Sequence, residues 1–170
     1  MSLIKRVAQL HIQAHSFERV IYSPKPITTF RDVGQERSFS EYAKPEGLWY
    51  ACGKDWKRFV QAEMNESRAE SYRYKYLLDV NLSRMCVIRT EEEMESFHFK
   101  YRDRYTRGID WFEVSRDYDG VEICPYQQKF RMSYSWYYPW DVASGCIWGR
   151  RAFKGVTEVE NDIDDGKYRD

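Results

Sequence analysis

The sequence predicts an α+β domain, a mixed or antiparallel β-sheet with a few flanking helices. Three observations carry that expectation. Short stretches alternate apolar and polar residues as half-buried strands do, most clearly Tyr74, Tyr76, Leu78 and Val80 in YKYLLDVN. Helix starts are few and well marked: Asp55 ahead of Trp56, Phe59 and Val60, and Thr90 ahead of three glutamates. The length, 170 residues, fits one domain with its own core, since a chain of about 150 residues buries roughly 70% of its unfolded surface.

In chain order, residues 1–15 read as an N-terminal extension or helix, with Leu3, Ile4, Val7, Leu10 and Ile12 at loosely helical spacing. His11 and His15 stand four apart on it. Without an HExxH pattern or a third ligand they read as exposed histidines, and no metal site is expected. A single α+β domain spans 16–153. Phe17 to Ile21 is a short strand running into YSPKP, whose two prolines end it. TTFRDVGQERSFSEYA is a long connection of the kind that forms lids or binding loops. In KPEGLWYACGKDWKRF, Pro45 and Gly47 frame a turn, Leu48 to Cys52 is a buried strand, Gly53 breaks it and the Asp55 helix follows.

Asn65 to Arg73 is a polar loop, followed by the strand of YKYLLDVN and a shorter one at Met85 to Ile88. Thr90 and Glu93 form a capping box, and the helix behind it buries Met94, Phe97 and Tyr101. The run from Lys100 to Gly108 alternates cations with tyrosines. It reads as a solvated helix end, with a contact to nucleic acid as the other reading. Tyr118-Asp119-Gly120 is a turn into a strand on which Val121 and Ile123 alternate with Glu122 and Cys124 before Pro125. The segment from Tyr137 to Trp148 is interrupted by Pro139 and by Ser144-Gly145, and reads as loop, bulge or bent strand. Residues 154–170 form an acidic, loosely ordered tail.

Composition narrows the function classes. A net charge of +0 removes the electrostatic case for a dedicated nucleic-acid binder. There is neither a signal-peptide pattern nor an 18-residue apolar run, so a cytoplasmic protein without a membrane partner is expected. Cys52, Cys86, Cys124 and Cys146 show no CxxC spacing and read as free buried thiols rather than a zinc site. Aromatics are abundant, and four of the six tryptophans fall between Ile109 and Trp148, so a wall of any pocket is expected there.

The succession RVIY, KPEGLWYACGKDWKRF, YKYLLDVNLSRMCVI, TEEEMESF, YDGVEI and WYYPWDVASGCIW resembles the small ADP-ribosyltransferases, in particular the phage- and toxin-borne mono-ADP-ribosyltransferases, over residues 17–150. The resemblance implies a split sheet with NAD, as substrate, in a cleft between its halves. It puts Tyr22 and Ser23 at the first-strand position that holds the dinucleotide, and Trp49, Tyr50 and Ala51 at the second, which packs the nicotinamide. The third position is a carboxylate. Glu122 lies in the DGVEI strand itself, and Asp141, one methylene shorter than the family's glutamate, stands where the order of elements puts it.

The chemistry makes the same demands. Breaking an N-glycosidic bond builds positive charge on the sugar, which calls for a fixed carboxylate, a dry aromatic wall and donors for the pyrophosphate. Glu122 or Asp141 supplies the first, Trp49, Tyr50 and Trp140 the second, and Lys25, Arg31 and Lys44 the third. The acceptor expected is a protein or nucleic acid. The competing expectations are a non-catalytic recognition module, stacking nucleotide, single-stranded nucleic acid or a protein partner on Tyr101, Tyr105, Tyr134, Trp136 and Tyr137, and a structural or inhibitory partner protein.

Overall fold

A computed structural model describes residues 17–63 and 72–163. The expected N-terminal helix with His11 and His15, most of the 65–73 loop and the end of the tail lie outside the described residues. The described residues form seven strands: β1 (Arg19–Ser23), β2 (Leu48–Cys52), β3 (Tyr74–Val80), β4 (Met85–Ile88), β5 (Gly120–Ile123), β6 (Ser144–Ile147) and β7 (Phe153–Val159). They form one hydrogen-bonded sheet in the order β4-β5-β6-β2-β1-β3-β7. Only β4 and β5 run parallel; every other neighbouring pair is antiparallel. With helices α1 (Asp55–Glu63), α2 (Glu91–Tyr101) and α3 (Trp111–Asp117), this is an α+β fold with a mixed sheet, the class the sequence predicts.

Alternation along the strands divides the interior into two cores. Trp49, Val121, Ile123 and Cys146 face α2, α3 and the rings of Trp136, Tyr137 and Trp140. Their sequence neighbours Tyr50 and Ile147 join Ile21, Tyr76, Leu78 and Val80 in the second core. The capping box opens α2 as expected: the Glu93 N–H donates to Thr90 Oγ1 at 3.2 Å, and the Thr90 N–H donates to Glu93 Oε2 at 3.1 Å. Helix α3 was not anticipated. Asp110 caps it, its side chain accepting from the Glu113 N–H at 3.2 Å.

Three expectations change. Ser144-Gly145 does not break the last apolar run; it begins β6, a fully buried strand paired on both sides. The segment from residue 154 does not start as a loose tail, because β7 continues to Val159 as the edge partner of β3. Main-chain hydrogen bonds hold that strand rather than burial, so its polar composition hid it. Cys52 and Cys124 are not free thiols. They form a disulfide with a Cα–Cα distance of 6.5 Å, across the start of β6, because β2 and β5 flank that strand and both end opposite Ser144. Cys86 and Cys146 are free. Among the described residues no helix is long and apolar enough to cross a membrane.

Candidate functional site

Three of the residues assigned to the dinucleotide, Tyr22, Trp49 and Ala51, meet on the face of the sheet that carries the first core, whereas the Tyr50 ring points into the second. Val20 and Tyr22 of β1, Ala51 of β2 and Ser144 of β6 alternate onto that face, with Val20 opposite Ala51 and Ala51 opposite Ser144. Together with Trp49, Tyr50, Trp56, Tyr72, Lys44 and Asp141 they line a cleft of about 270 Å³. Its aromatic walls brace one another edge-on. The ring centroids of Tyr22 and Tyr72 are 6.2 Å apart, as are those of Trp56 and Tyr72. Trp140 is wholly buried and packs edge-on against Trp49 at 4.9 Å, so it stands behind the wall rather than in it. Ser23 does not line the cleft; its hydroxyl is engaged in the following turn, donating to the Lys25 carbonyl at 2.6 Å.

Charge enters from two loops. The Lys44 ammonium lies 4.2 Å from the Trp49 ring centroid and donates to the Pro139 carbonyl at 3.2 Å. Burial against these rings lowers its pKa, and the carboxylate of Asp141 pulls it partly back up. Asp141, just ahead of β6, is substantially exposed and lies 3.8 Å from the Arg131 guanidinium. At the mouth, the Tyr22 hydroxyl donates to Asp162 at 2.8 Å; burial first, and then that carboxylate, push the phenol's pKa up. Of the expected donors Lys44 lines the cleft, whereas Lys25 and Arg31 do not.

The second candidate carboxylate is elsewhere. Glu122 points to the opposite face and has no exposed surface. The Arg19 Nε and Nη2 donate to its two oxygens at 2.6 and 3.0 Å, and the Tyr50 hydroxyl donates to Oε2 at 2.6 Å. Burial disfavours the Arg19 charge, but the bonds to Glu122 outweigh it and leave the guanidinium more firmly protonated than usual. Both carboxylate oxygens are thus occupied in a buried ion pair, and Glu122 does not reach the cleft. Cys52, Glu122 and Cys124 place their ligand atoms within 4.8 Å of one another. The disulfide takes both sulfurs and Arg19 and Tyr50 take the carboxylate, so no free ligand remains there for an ion.

The expected stacking platform is mostly core. Trp136 and Tyr137 have no exposed surface, Tyr101 only 5% and Tyr134 is half-buried, leaving Tyr105 as the open ring among them. The run from Lys100 folds into a turn in which Asp103 accepts from the N–H groups of Tyr105 and Thr106, both at 2.8 Å. Sequence reasoning missed Trp56 as a cleft residue, although its place one step into α1 after the Gly53 turn marks it. It also missed Arg19, whose signal was a charge on the strand position alternating with Val20. The chain matches no known protein family, no curated protein and no solved structure. The case for a function therefore rests on the cleft.

Proposed function

We propose that the protein is a NAD-dependent mono-ADP-ribosyltransferase acting on a protein or nucleic-acid acceptor, with its chemistry in this cleft. One observation carries the reading: Tyr22, Trp49, Tyr50, Ala51 and Asp141, separated by up to 119 positions and singled out by the order of elements, line a single cleft. The donor set also fits the ligand. Aromatic walls suit a flat leaving base, Lys44 offers a cation for an anionic oxygen, and Asp141 is the one lining carboxylate among the described residues.

Asp141 takes the catalytic role in this reading. It stabilises positive charge as it develops on the ribose. Glu122, with both oxygens engaged on the far face, is a structural clamp. At about 270 Å³ the cleft is slightly smaller than the usual ligand pocket of about 300–1,000 Å³, so in this reading it takes one ring with its sugar and leaves the phosphates at the mouth.

The test is nicotinamide release from labelled NAD, with and without candidate acceptors. Asp141→Asn is expected to cut release at least about 100-fold, the usual scale for losing a group that stabilises transition-state charge, while melting like the wild type. Trp49→Ala should weaken NAD binding. If Asp141→Asn keeps the full rate, the assignment of Asp141 fails. If the wild type neither binds NAD nor releases nicotinamide, the proposal itself fails.

A further inference from the structure

Beside the cleft, three groups from three elements converge on one carboxylate. Asp162, three residues beyond the end of β7, accepts from the Tyr22 hydroxyl at 2.8 Å and lies 2.8 Å from the Lys75 ammonium and 3.4 Å from that of Lys57. Lys75 stands directly across from Tyr22 in the β1–β3 ladder, and Lys57 follows the cleft residue Trp56 in α1. Asn161 fastens the same segment, its side-chain amide donating to the carbonyls of Tyr72, another cleft residue, and Arg73.

Two features separate this arrangement from an ordinary surface ion pair. Lys75 is largely buried, its side chain 13% exposed, while Asp162 is 38% exposed. The cations are therefore the fixed part and the carboxylate the accessible one. Burial tends to raise the carboxyl's pKa, but the hydrogen bonds from Lys75 and Tyr22 outweigh it and hold the group down to about 2. The pair of lysines and the phenol would be left facing the mouth of an aromatic cleft if Asp162 moved away.

We infer that Lys57, Lys75 and the Tyr22 hydroxyl form an anion-binding position at the mouth of the cleft, that Asp162 fills it when no ligand is bound, and that it accepts a phosphate or pyrophosphate group in exchange. Two ammonium groups and one hydroxyl offer point charges and donors without the planar fork that selects carboxylates, and a phosphate presents more acceptor oxygens to them than Asp162 does. The tail is then an internal competitor for the ligand's charged end. This rests on the cleft being a ligand site, and not on the transfer reaction.

Inorganic pyrophosphate and NAD are the probes, titrated calorimetrically into the full chain at low and high salt. Asp162→Asn keeps the shape of the side chain and removes its charge, and is expected to raise pyrophosphate affinity about tenfold. Lys75→Met should lower it. The decisive comparison is Asp162→Asn in a Lys57→Met/Lys75→Met background, where the gain should vanish. Persistence of the gain there would mean only that a negative charge had been removed, and would overturn the inference, as would an unchanged affinity in Asp162→Asn itself. Binding of pyrophosphate without NAD would leave the anion position standing and remove the NAD reading. Binding of NAD that ignores both lysines would do the reverse. Thermal melting of each variant shows whether it is folded.

Discussion

Gly145 decides whether Tyr50 can reach Glu122. The register sets Tyr50 opposite Gly145 on β6 and Gly145 opposite Glu122 on β5, so the tyrosine ring must lie across β6 to make its bond. A Cβ at Gly145 would sit 2.3 Å from that ring. Tyr50→Phe removes the donor to a buried carboxylate and should cost about 2 kcal/mol, the scale of a hydrogen bond to a charged group. Gly145→Ala should cost more, because it displaces the ring as well as breaking the bond. Since both act on one contact, the double variant should fall short of the sum, which denaturant titration of the three proteins measures. Full additivity would mean that Gly145 and Tyr50 act separately. The sequence marked Glu122 as a notable carboxylate but concealed its partner. Arg19 is 103 positions away, and β2 and β6 lie between β1 and β5 in the sheet, so the long Arg19 side chain reaches its partner across two strands.

At the scale of elements, what could be read was what is local. The capping box of α2 is visible in four consecutive residues, and the strand of YKYLLDVN in its alternation. Helix α3 has only seven residues and β7 is an exposed edge, so neither displays an apolar period long enough to read. The cleft followed the same division. Tyr22, Trp49, Tyr50, Ala51 and Asp141 were reachable from the order of elements, whereas Asp162 was not, because a polar tail gives no sign of docking. The end of α2 carries a prediction of its own. The Trp136 indole N–H donates to Nδ1 of His98 at 3.0 Å, which requires an unprotonated Nδ1, and the His98 ring stacks on Tyr134 at 3.9 Å. Burial, and then the charge of Arg102, lower the His98 pKa below its usual 6.5. The unfolded chain therefore takes up the proton first as pH falls. Stability should decline from about pH 6.5 and level off once the folded pKa is passed. Denaturant midpoints at pH 8, 7, 6 and 5 should follow that curve, and His98→Asn should flatten it; an unchanged slope in the variant would place the titration elsewhere.

At the scale of the whole molecule, β2, β6 and β5 join the two cores, and the disulfide ties their ends together. Cys52 and Cys124 are 72 positions apart, with no spacing motif to announce them; they meet because β2 and β5 both pair with β6 and both end where it begins, at Ser144. Closing a loop of that length restricts the unfolded chain by about 4 kcal/mol in the chain-entropy account. The bond lies beside the Arg19, Tyr50 and Glu122 cluster, so its loss should also loosen the clamp that aligns β1 with β5. Two measurements follow. Under denaturing conditions the chain should show two titratable thiols, Cys86 and Cys146, without reductant and four with it. The double variant Cys52→Ser/Cys124→Ser should unfold about 2–5 kcal/mol more readily. Reductant should then shift the melting of the wild type and leave the double variant unchanged. Four thiols without reductant would show the pair to be reduced, and the join between the two cores would then rest on the ion pair and the strand ladder alone.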